Sequence, residues 1–194
     1  MIRYFGVLVL LLVIWQSGVI FLGTFLQREA EVYLAQGVEP EQVHEDLLLA
    51  YQLDSRSPST LELLGRTSPD SSTALGYLRR LTQFEPNAAV HWVFLFNAKA
   101  QLGEFDDEMT SAMQNAANLG PFEPGIQFDL IAFGSKYWLD LNPLMRRLIV
   151  DAGERALATQ APFGRRELVA SLTDSGLLSL VCHRVPESPA CAIN

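Results

Sequence analysis

The chain has 194 residues, 49% of them hydrophobic, and a formal net charge of −8 at pH 7. A chain of this length holds one modest domain with additional segments. The acidic balance argues against nucleic acid, or an anionic lipid surface, as the main partner of the soluble part.

The apolar residues are concentrated at the N-terminus, where residues 5–26 (FGVLVLLLVIWQSGVIFLGTFL) carry no charge. At 1.5 Å per residue this stretch spans a hydrocarbon core of roughly 30 Å. The alternative is a cleaved signal peptide, which has a shorter apolar region of about 7–15 residues and a small-x-small cleavage site. Here the run ends in Phe25-Leu26-Gln27-Arg28 without such a site. The sequence therefore predicts a retained transmembrane anchor.

Charged residues on either side of the anchor predict its orientation. Arg3 precedes it, and Glu29 and Glu31 follow it. The positive-inside rule then places residues 1–4 in the cytoplasm and the remaining chain outside. In a Gram-negative bacterium this is a single-pass inner-membrane protein with a periplasmic domain. Gln16 and Ser17 within the anchor mark a helix–helix contact or are simply tolerated in a single span.

The segments between the anchor and residue 84 are predicted to be helical. Residues 27–37 continue the first helix, and Gly37 to Pro40 break it. A second helix covers 41–54, and Pro58 opens a short third helix through Gly65. A fourth covers 71–83, after a turn cluster at 67–71 that offers several N-caps.

Residues 84–124 predict two helices, at about 88–101 and 106–119, joined by a turn at Gly103. This stretch resembles a tetratricopeptide repeat (TPR), a 34-residue helix-turn-helix unit. The residues that match its structural positions are Ala74, Pro86, Trp92, Leu95, Gly103 and Phe105. Phe96, Lys99 and Glu108 depart from the pattern, which has glycine, an aromatic residue and alanine there. The resemblance implies a helical groove that binds protein partners, with Asn97, Lys99 and Gln101 as its candidate polar residues.

The C-terminal part is also predicted to be helical. Asn142-Pro143 has the form of an N-cap followed by proline at the first helical position. The next helix, to about Thr159, carries Arg147, Asp151 and Arg155 at four-residue intervals, which indicates a solvated ion-pair ladder. A loop at 160–164 and a last helix at about 165–181 follow. No segment alternates apolar and polar residues over a strand's length, so the predicted fold class is all-α.

The predicted organisation follows from these segments. It comprises a cytoplasmic N-terminus at 1–4, a transmembrane anchor at 5–26, a juxtamembrane helix and linker at 27–40, TPR-like repeats at 41–124, C-terminal helices at 125–181 and a tail at 182–194.

Both cysteines, Cys182 and Cys191, lie in the tail. In an oxidising compartment a disulfide between them is the natural interpretation. Two free thiols, or a metal pair with His183, are the alternatives, although no recognisable zinc spacing accompanies them.

The sequence contains no motif that carries enzymatic chemistry. HExxH, CxxC, phosphate-binding glycine loops and G-x-S-x-G are all absent. The acidic cluster at 104–108 lacks the ligand alternation of a calcium loop and is interpreted as a solvated turn and helix N-terminus. Trp92 is interpreted as core, with sugar stacking as the alternative. We expect no enzymatic activity and no cofactor.

The stretch Asn118 to Gln127, NLGPFEPGIQ, resembles the "LGPWEPxVQ" segment of VpsP-type proteins, small membrane-anchored proteins of bacterial exopolysaccharide gene clusters. Phe122 replaces the expected tryptophan, and Gly125 an expected charged residue. The resemblance implies a scaffold in polysaccharide polymerisation or export, whose partners are inner-membrane or periplasmic proteins of that system. The alternatives are a subunit of another envelope machine for secretion, pilus assembly or division, and a glycan-binding domain using Trp92, Trp138 and Phe122.

Overall fold

The structure is a computed structural model that describes residues 2–159, 169–170, 172–174, 176–188 and 191. Every regular element in these ranges is a helix, which confirms the predicted all-α fold class. The helices are α1 (Ile2–Ala35), α2 (Pro40–Leu53), α3 (Pro58–Thr67), α4 (Ser71–Phe84), α5 (Ala89–Gln101), α6 (Asp107–Leu119), α7 (Pro124–Tyr137), α8 (Pro143–Thr159) and α9 (Leu178–Arg184). The predicted loop at 160–164 and part of the predicted helix at 165–181 lie outside the described residues.

The N-terminal helix α1 is long and apolar, and most of its first two thirds is exposed. Trp15 and Phe21 have relative exposures of 72% and 73%. Within the described residues, Val9–Ala35 is the one helical segment that is long and apolar enough to cross a membrane. The helix continues past the predicted anchor, as the sequence indicated, and Gly37, with φ of +81°, follows its end.

The chain divides into two compact units, Met1–Phe84 and Glu85–Asn194. The sequence instead grouped residues 41–124 as repeats, and that division into domains stays a prediction. In the first unit, α1 packs antiparallel to α2, α2 contacts α3, and α3 contacts α4. Their core is formed by Ala30, Val43, Leu47, Leu63 and Leu64, with exposures of 0–8%. The C-terminal part of α1 is therefore built into this unit.

Capping side chains fix the helix starts in the first unit. The Ser57 hydroxyl accepts a hydrogen bond from the Thr60 amide at the start of α3. At the start of α4 the Asp70 carboxylate accepts bonds from the Thr73 amide and the Ser72 hydroxyl, both at 2.8 Å. Hydrogen bonds from the side chains of Thr73 and Ser72 are the main reason that the pKa of Asp70 is lowered to about 2. The turn cluster at 67–71 thus supplies the predicted N-cap.

The second unit is built from two helical hairpins, α5–α6 and α7–α8, with α9 packed against α8. Phe96 of α5 meets Phe133 of α7 edge to face, with ring centroids 4.9 Å apart. Helices α7 and α8 approach closely at Gly134, where a Cβ atom would lie 2.6 Å from Cγ2 of Ile149. Only glycine leaves room for that side chain.

The C-terminal features agree with their predictions where the structure describes them. The Asn142 side-chain oxygen accepts a 2.9 Å hydrogen bond from the Met145 amide, so Asn142 caps α8. Cys182 and Cys191 form a disulfide with a Cα–Cα distance of 5.5 Å. In the expected ladder, Arg147 Nε lies 3.9 Å from an Asp151 carboxylate oxygen, and Arg184 of α9 also pairs with Asp151. The Arg184–Asp151 ion pair therefore connects α9 to α8.

Candidate functional site

The α5–α6 hairpin is the part of the molecule that matches the TPR pattern best. The turn glycine, Gly103, has φ of +72°, a conformation that side chains with a Cβ atom resist. Asp106 caps α6, because its carboxylate accepts a 3.0 Å hydrogen bond from the Met109 amide. The apolar stripe of α6 is fully buried, with exposures of 0–4% at Met109, Ala112, Met113, Ala116 and Ala117. The turn and the buried face are therefore both as the sequence predicts.

The remaining repeat residues hold this hairpin at its ends. The Trp92 indole nitrogen donates a 2.8 Å hydrogen bond to the Pro86 carbonyl, and Leu95 is 2% exposed. The Phe105 ring lies 5.6 Å from that of Tyr137 on α7. Ala74 belongs to α4 of the first unit, where it is 5% exposed, and its role as a repeat residue stays a prediction. Trp92 itself is only partly buried, so it is an edge residue tied to the backbone and not the core residue expected.

Lys99 occupies the most unusual position in the hairpin. Its side chain is completely buried, yet its ammonium lies 2.8 Å from Glu104, 2.9 Å from Asp106 and 2.7 Å from Glu108. An ammonium has three donors, and each of these has a carboxylate acceptor. We call these four residues the Lys99 cluster. This arrangement differs from the expected groove contact, because a fully buried and triply paired ammonium is not presented to a partner.

The electrostatics of the Lys99 cluster favour its charged form. Burial by itself lowers the pKa of Lys99, but the hydrogen bonds to Glu104, Glu108 and Asp106 outweigh it and raise the pKa above its ordinary value. Burial by itself raises the pKa of Asp106, but hydrogen bonds from the Met109 amide and from Lys99 outweigh it and lower the pKa below its ordinary value. The Lys99 ammonium and the Asp106 carboxylate therefore stay ionised together at neutral pH.

The cluster also explains two of the three departures from the repeat pattern. Lys99 stands where the repeat has an aromatic residue, and Glu108 stands where it has alanine. In the structure, Lys99 Nζ of α5 lies 2.7 Å from a carboxylate oxygen of Glu108 on α6. This ion pair takes the place of the contact between an aromatic ring and an alanine methyl group in the repeat pattern. The third departure, Phe96, packs on Phe133. A base and an acid at two normally apolar positions nine residues apart were the signal in the sequence that could have revealed this pair.

The acidic cluster is a solvated turn and helix N-terminus, as predicted, and it has one further role. Three of its carboxylates neutralise Lys99, whereas Asp107 lies exposed in the first turn of α6. Among the described residues, no group of three or more histidine, cysteine or acidic side chains is arranged to hold a metal ion.

Two of the predicted groove residues remain near the surface. Asn97 is half-buried, and its amide donates to the Val93 carbonyl at 3.0 Å. Gln101 is exposed at the end of α5. Their role in partner binding stays a prediction.

The aromatic residues suggested for glycan contact differ in their surroundings. Trp92 is held by Pro86, and the Arg146 guanidinium lies 5.4 Å from the Trp138 ring centroid. Phe122, in the turn between α6 and α7, is 68% exposed. Only Phe122 therefore offers a largely open ring.

The helical hairpins, the turn glycine and the buried small-residue stripe define a TPR-like all-helical protein. Two solved structures of MamA, itself TPR-like and all-helical, share this architecture. One, "Crystal structure of MamA protein", matches with a TM-score of 0.59 and 14% identity over 86% of this chain and 90% of that one. The other, "Crystal structure of MamA", has a TM-score of 0.56 and 18% identity over 69% and 77%. At these identities the similarity shows the fold alone. No protein-family model matches the sequence, and no curated protein matches it.

Proposed function

We propose that this chain is a membrane-anchored, non-enzymatic scaffold that acts through protein–protein contacts of its TPR-like helices. The observation that carries the proposal is the continuity of α1. Its exposed apolar part has the length and composition of a membrane span, and its C-terminal part supplies Ala30 to the core of the first unit. A helix that is shared between a span and a folded core is suited to holding that core at a membrane.

The more specific role rests on the likeness to VpsP-type proteins. We infer that the chain is an accessory component of exopolysaccharide polymerisation or export, with residues 5–26 in the inner membrane and the helical units in the periplasm. The disulfide between Cys182 and Cys191 supports an oxidising compartment, since such bonds rarely persist in a reducing cytosol. A role in secretion, pilus assembly or division uses the same architecture and is the second candidate.

The working surface in this proposal is the exposed part of α5 around Asn97 and Gln101. Because Lys99 is buried, a photoreactive residue at position 99 would disrupt the Lys99 cluster before it reported a partner. The crosslinking residue therefore belongs at Gln101, with Ser111, which is exposed on α6, as the matched control position.

In vivo crosslinking from position 101, followed by mass spectrometry, tests the proposal. Capture of a polysaccharide polymerase, exporter or chain-length regulator at 101 and not at 111 supports it. Capture of secretion, pilus or division proteins favours the second candidate. If the folded protein captures nothing at 101, or the same proteins at both positions, this surface does not bind the partner.

A further inference from the structure

The packing of α1 shows where the exposed span ends and the folded unit begins. Before Gly23 the apolar side chains of α1 described by the structure point away from the other helices. At Gly23 a Cβ atom would lie 3.6 Å from Leu53 and 3.8 Å from the Ala50 carbonyl, both at the end of α2. One turn later, Gln27 Oε1 accepts hydrogen bonds from the Ser57 and Thr60 hydroxyls, at 3.3 and 3.5 Å. Protein contacts therefore replace exposure between residues 23 and 27.

The length of the uncharged stretch before Gly23 sets the depth of this transition. Residues 5–22 extend about 27 Å at 1.5 Å per residue, close to the roughly 30 Å of a hydrocarbon core. Residues 23–27 then fall at the level of the lipid headgroups. The α2–α3 turn, which contacts those residues, lies at the same level.

The directions of the helices place specific residues at this depth. Because α2 is antiparallel to α1, its C-terminal end lies beside Gly23, and its start lies at the opposite end of the unit. Helix α4 also reaches the turn with its C-terminal half, since Arg80 donates a 3.2 Å hydrogen bond to the Ser55 carbonyl. We define the membrane-proximal end as the α2–α3 turn at residues 54–57 together with Arg28 and Arg80.

The charges are unevenly divided between the two ends. Arg28 and Arg56 are exposed on either side of the Gln27–Ser57 hydrogen bond, and the Arg80 guanidinium lies 5.3 Å from the Tyr51 ring centroid beside the same turn. The one acidic residue of the turn, Asp54, accepts a hydrogen bond from the Arg56 amide. Acidic residues lie at both ends, since Glu29 follows Arg28 and Glu31 accepts a 2.9 Å hydrogen bond from the Gln27 amide. At the opposite end Glu39, Glu41 and Asp70 precede or begin α2 and α4, and Arg66 is the arginine that lies beside Ala35 there.

We propose that the membrane-proximal end of the first unit docks on the bilayer surface, with Arg28 and Arg56 against lipid phosphates. The proposal rests on the membrane anchoring proposed above and adds a defined face and partner. The acidic net charge led us to expect no binding to an anionic lipid surface. That expectation does not apply to one face, because a membrane interacts mainly with the charges that face it. Charges at the far end lie beyond a Debye length of about 8 Å, and their repulsion is screened. Exposed arginines at headgroup depth are attracted to the phosphates of an anionic leaflet.

Depth-dependent fluorescence quenching of the full chain in phosphatidylcholine–phosphatidylglycerol nanodiscs tests the proposal. Three single-cysteine variants carry an environment-sensitive label: Leu12→Cys in the span, Ser55→Cys in the turn and Gln36→Cys past the end of α1. The native cysteines are paired in the disulfide, so labelling without reductant leaves them intact. The label at position 36 is the control that lies far from the lipid headgroups. Position 36 is 13 residues after Gly23, which corresponds to about 20 Å along the helix axis.

The proposal predicts that a headgroup-attached spin label quenches position 55 and not position 36, and that a mid-chain spin label quenches position 12. If position 12 is quenched while 55 and 36 behave alike, the docking is refuted and the anchor stands. If position 12 is not quenched by the mid-chain label, α1 does not span the bilayer, and both proposals fail.

A charge-reversal pair separates lipid phosphates from a general effect of net charge. Arg56→Glu is expected to reduce headgroup quenching at position 55, and the reduction should be larger with phosphatidylglycerol than with phosphatidylcholine alone. The matched control is Arg66→Glu, because Arg66 lines the opposite end of α3 beside Ala35. Equal effects of the two reversals, or no effect of Arg56→Glu in either lipid, would overturn the assignment to phosphates.

Discussion

Replacing Lys99 with methionine is the most informative single perturbation of the helical hairpin. Methionine keeps much of the length and the apolar stem of lysine but removes the ammonium. The change leaves three carboxylates, on Glu104, Asp106 and Glu108, facing a site that no longer holds a cation. The free energy of unfolding should fall because the turn between α5 and α6 loses its counterion.

The size of the effect follows from the exposure of the partners. Removing one member of a buried ion pair costs about 3–5 kcal/mol when the remaining charge stays buried. Here the carboxylate side chains are 38–52% exposed and can rehydrate, which reduces each lost pair to about 1 kcal/mol or less. Mutual repulsion of the three carboxylates is present with or without Lys99, so it does not add to the difference, which is the sum of the three lost pairs. We expect Lys99→Met to cost about 2–3 kcal/mol.

Removing the acids instead should be more damaging. The triple variant Glu104→Gln, Asp106→Asn, Glu108→Gln leaves a fully buried ammonium without a counterion, so its cost should approach the full range of about 3–5 kcal/mol. Asparagine preserves the N-cap at position 106. Adding Lys99→Met to the triple variant should restore part of the lost stability, because the uncompensated charge is gone.

The same cluster predicts a dependence of stability on pH. The pKa of Asp106 is lower in the folded protein than its ordinary value, so its contribution is present above that ordinary value, about 3.9, and is lost as the pH falls through the folded pKa. The pKa of Lys99 is raised, so its contribution is complete below the ordinary lysine pKa of about 10.4. Lys99→Met should therefore reduce the loss of stability that occurs as the pH falls below about 4.

Urea denaturation followed by far-UV circular dichroism, at pH 7 and across the acid range, measures these effects. Lys136→Met is the matched control, because Lys136 is exposed and lies over the Tyr137 ring. If Lys99→Met costs no more than Lys136→Met, the cluster does not stabilise the hairpin. If the triple variant is not rescued by the added methionine, the acids stabilise the turn independently of Lys99.

Three further substitutions test other parts of the second unit. Gly134→Val should lower the free energy of unfolding, measured by denaturant titration, by about 1–3 kcal/mol, because the new Cβ atom would overlap Ile149. Gly125→Ala, with open space around the new Cβ atom, should be nearly neutral. An equal loss in both variants would refute the close approach at Gly134. Asn142→Ala should cost about 0.5–2 kcal/mol through loss of the α8 cap, and rescue by Asn142→Asp but not by Asn142→Val would identify capping as the cause. Cys182→Ser should lower the free energy of unfolding by about 2–3 kcal/mol under oxidising conditions, and it should have no effect in the presence of a reductant. An equal loss under both conditions would show that the disulfide is not the cause.

The sequence predicted the helices well because residues close to each boundary determine where the helix begins and ends. Pro58 and Pro143 start helices at their first turns, and Gly103 has the positive φ that the turn needs. The observed bounds of α5 and α6 differ from the predicted ones by one residue. Caps, proline and glycine act within a few residues, so a single sequence contains them in full.

The candidate site was less predictable because its key contact depends on tertiary packing. Lys99 was expected to face a groove because it is a polar residue of the first helix of the best-matching repeat. Its partners come from the turn and from the next helix, at separations of five to nine residues, and no periodicity within α5 indicates them. Trp92 was placed in the core from its match to a structural position of the repeat, whereas its indole nitrogen donates to the Pro86 carbonyl near the surface.

The continuity of α1 has a physical consequence for a scaffold. A flexible tether lets a domain sample many orientations, so binding must select one of them at an entropic cost. Here Gly23, Gln27 and Ala30 lie on the same helix as the exposed span, and each contacts α2 or α3 or packs in their core. In the proposed membrane-anchored state, the rotation of α1 about its axis therefore fixes which side of the first unit faces along the membrane. A membrane partner that contacts α1 at Gln16 would set the orientation of that unit without touching it.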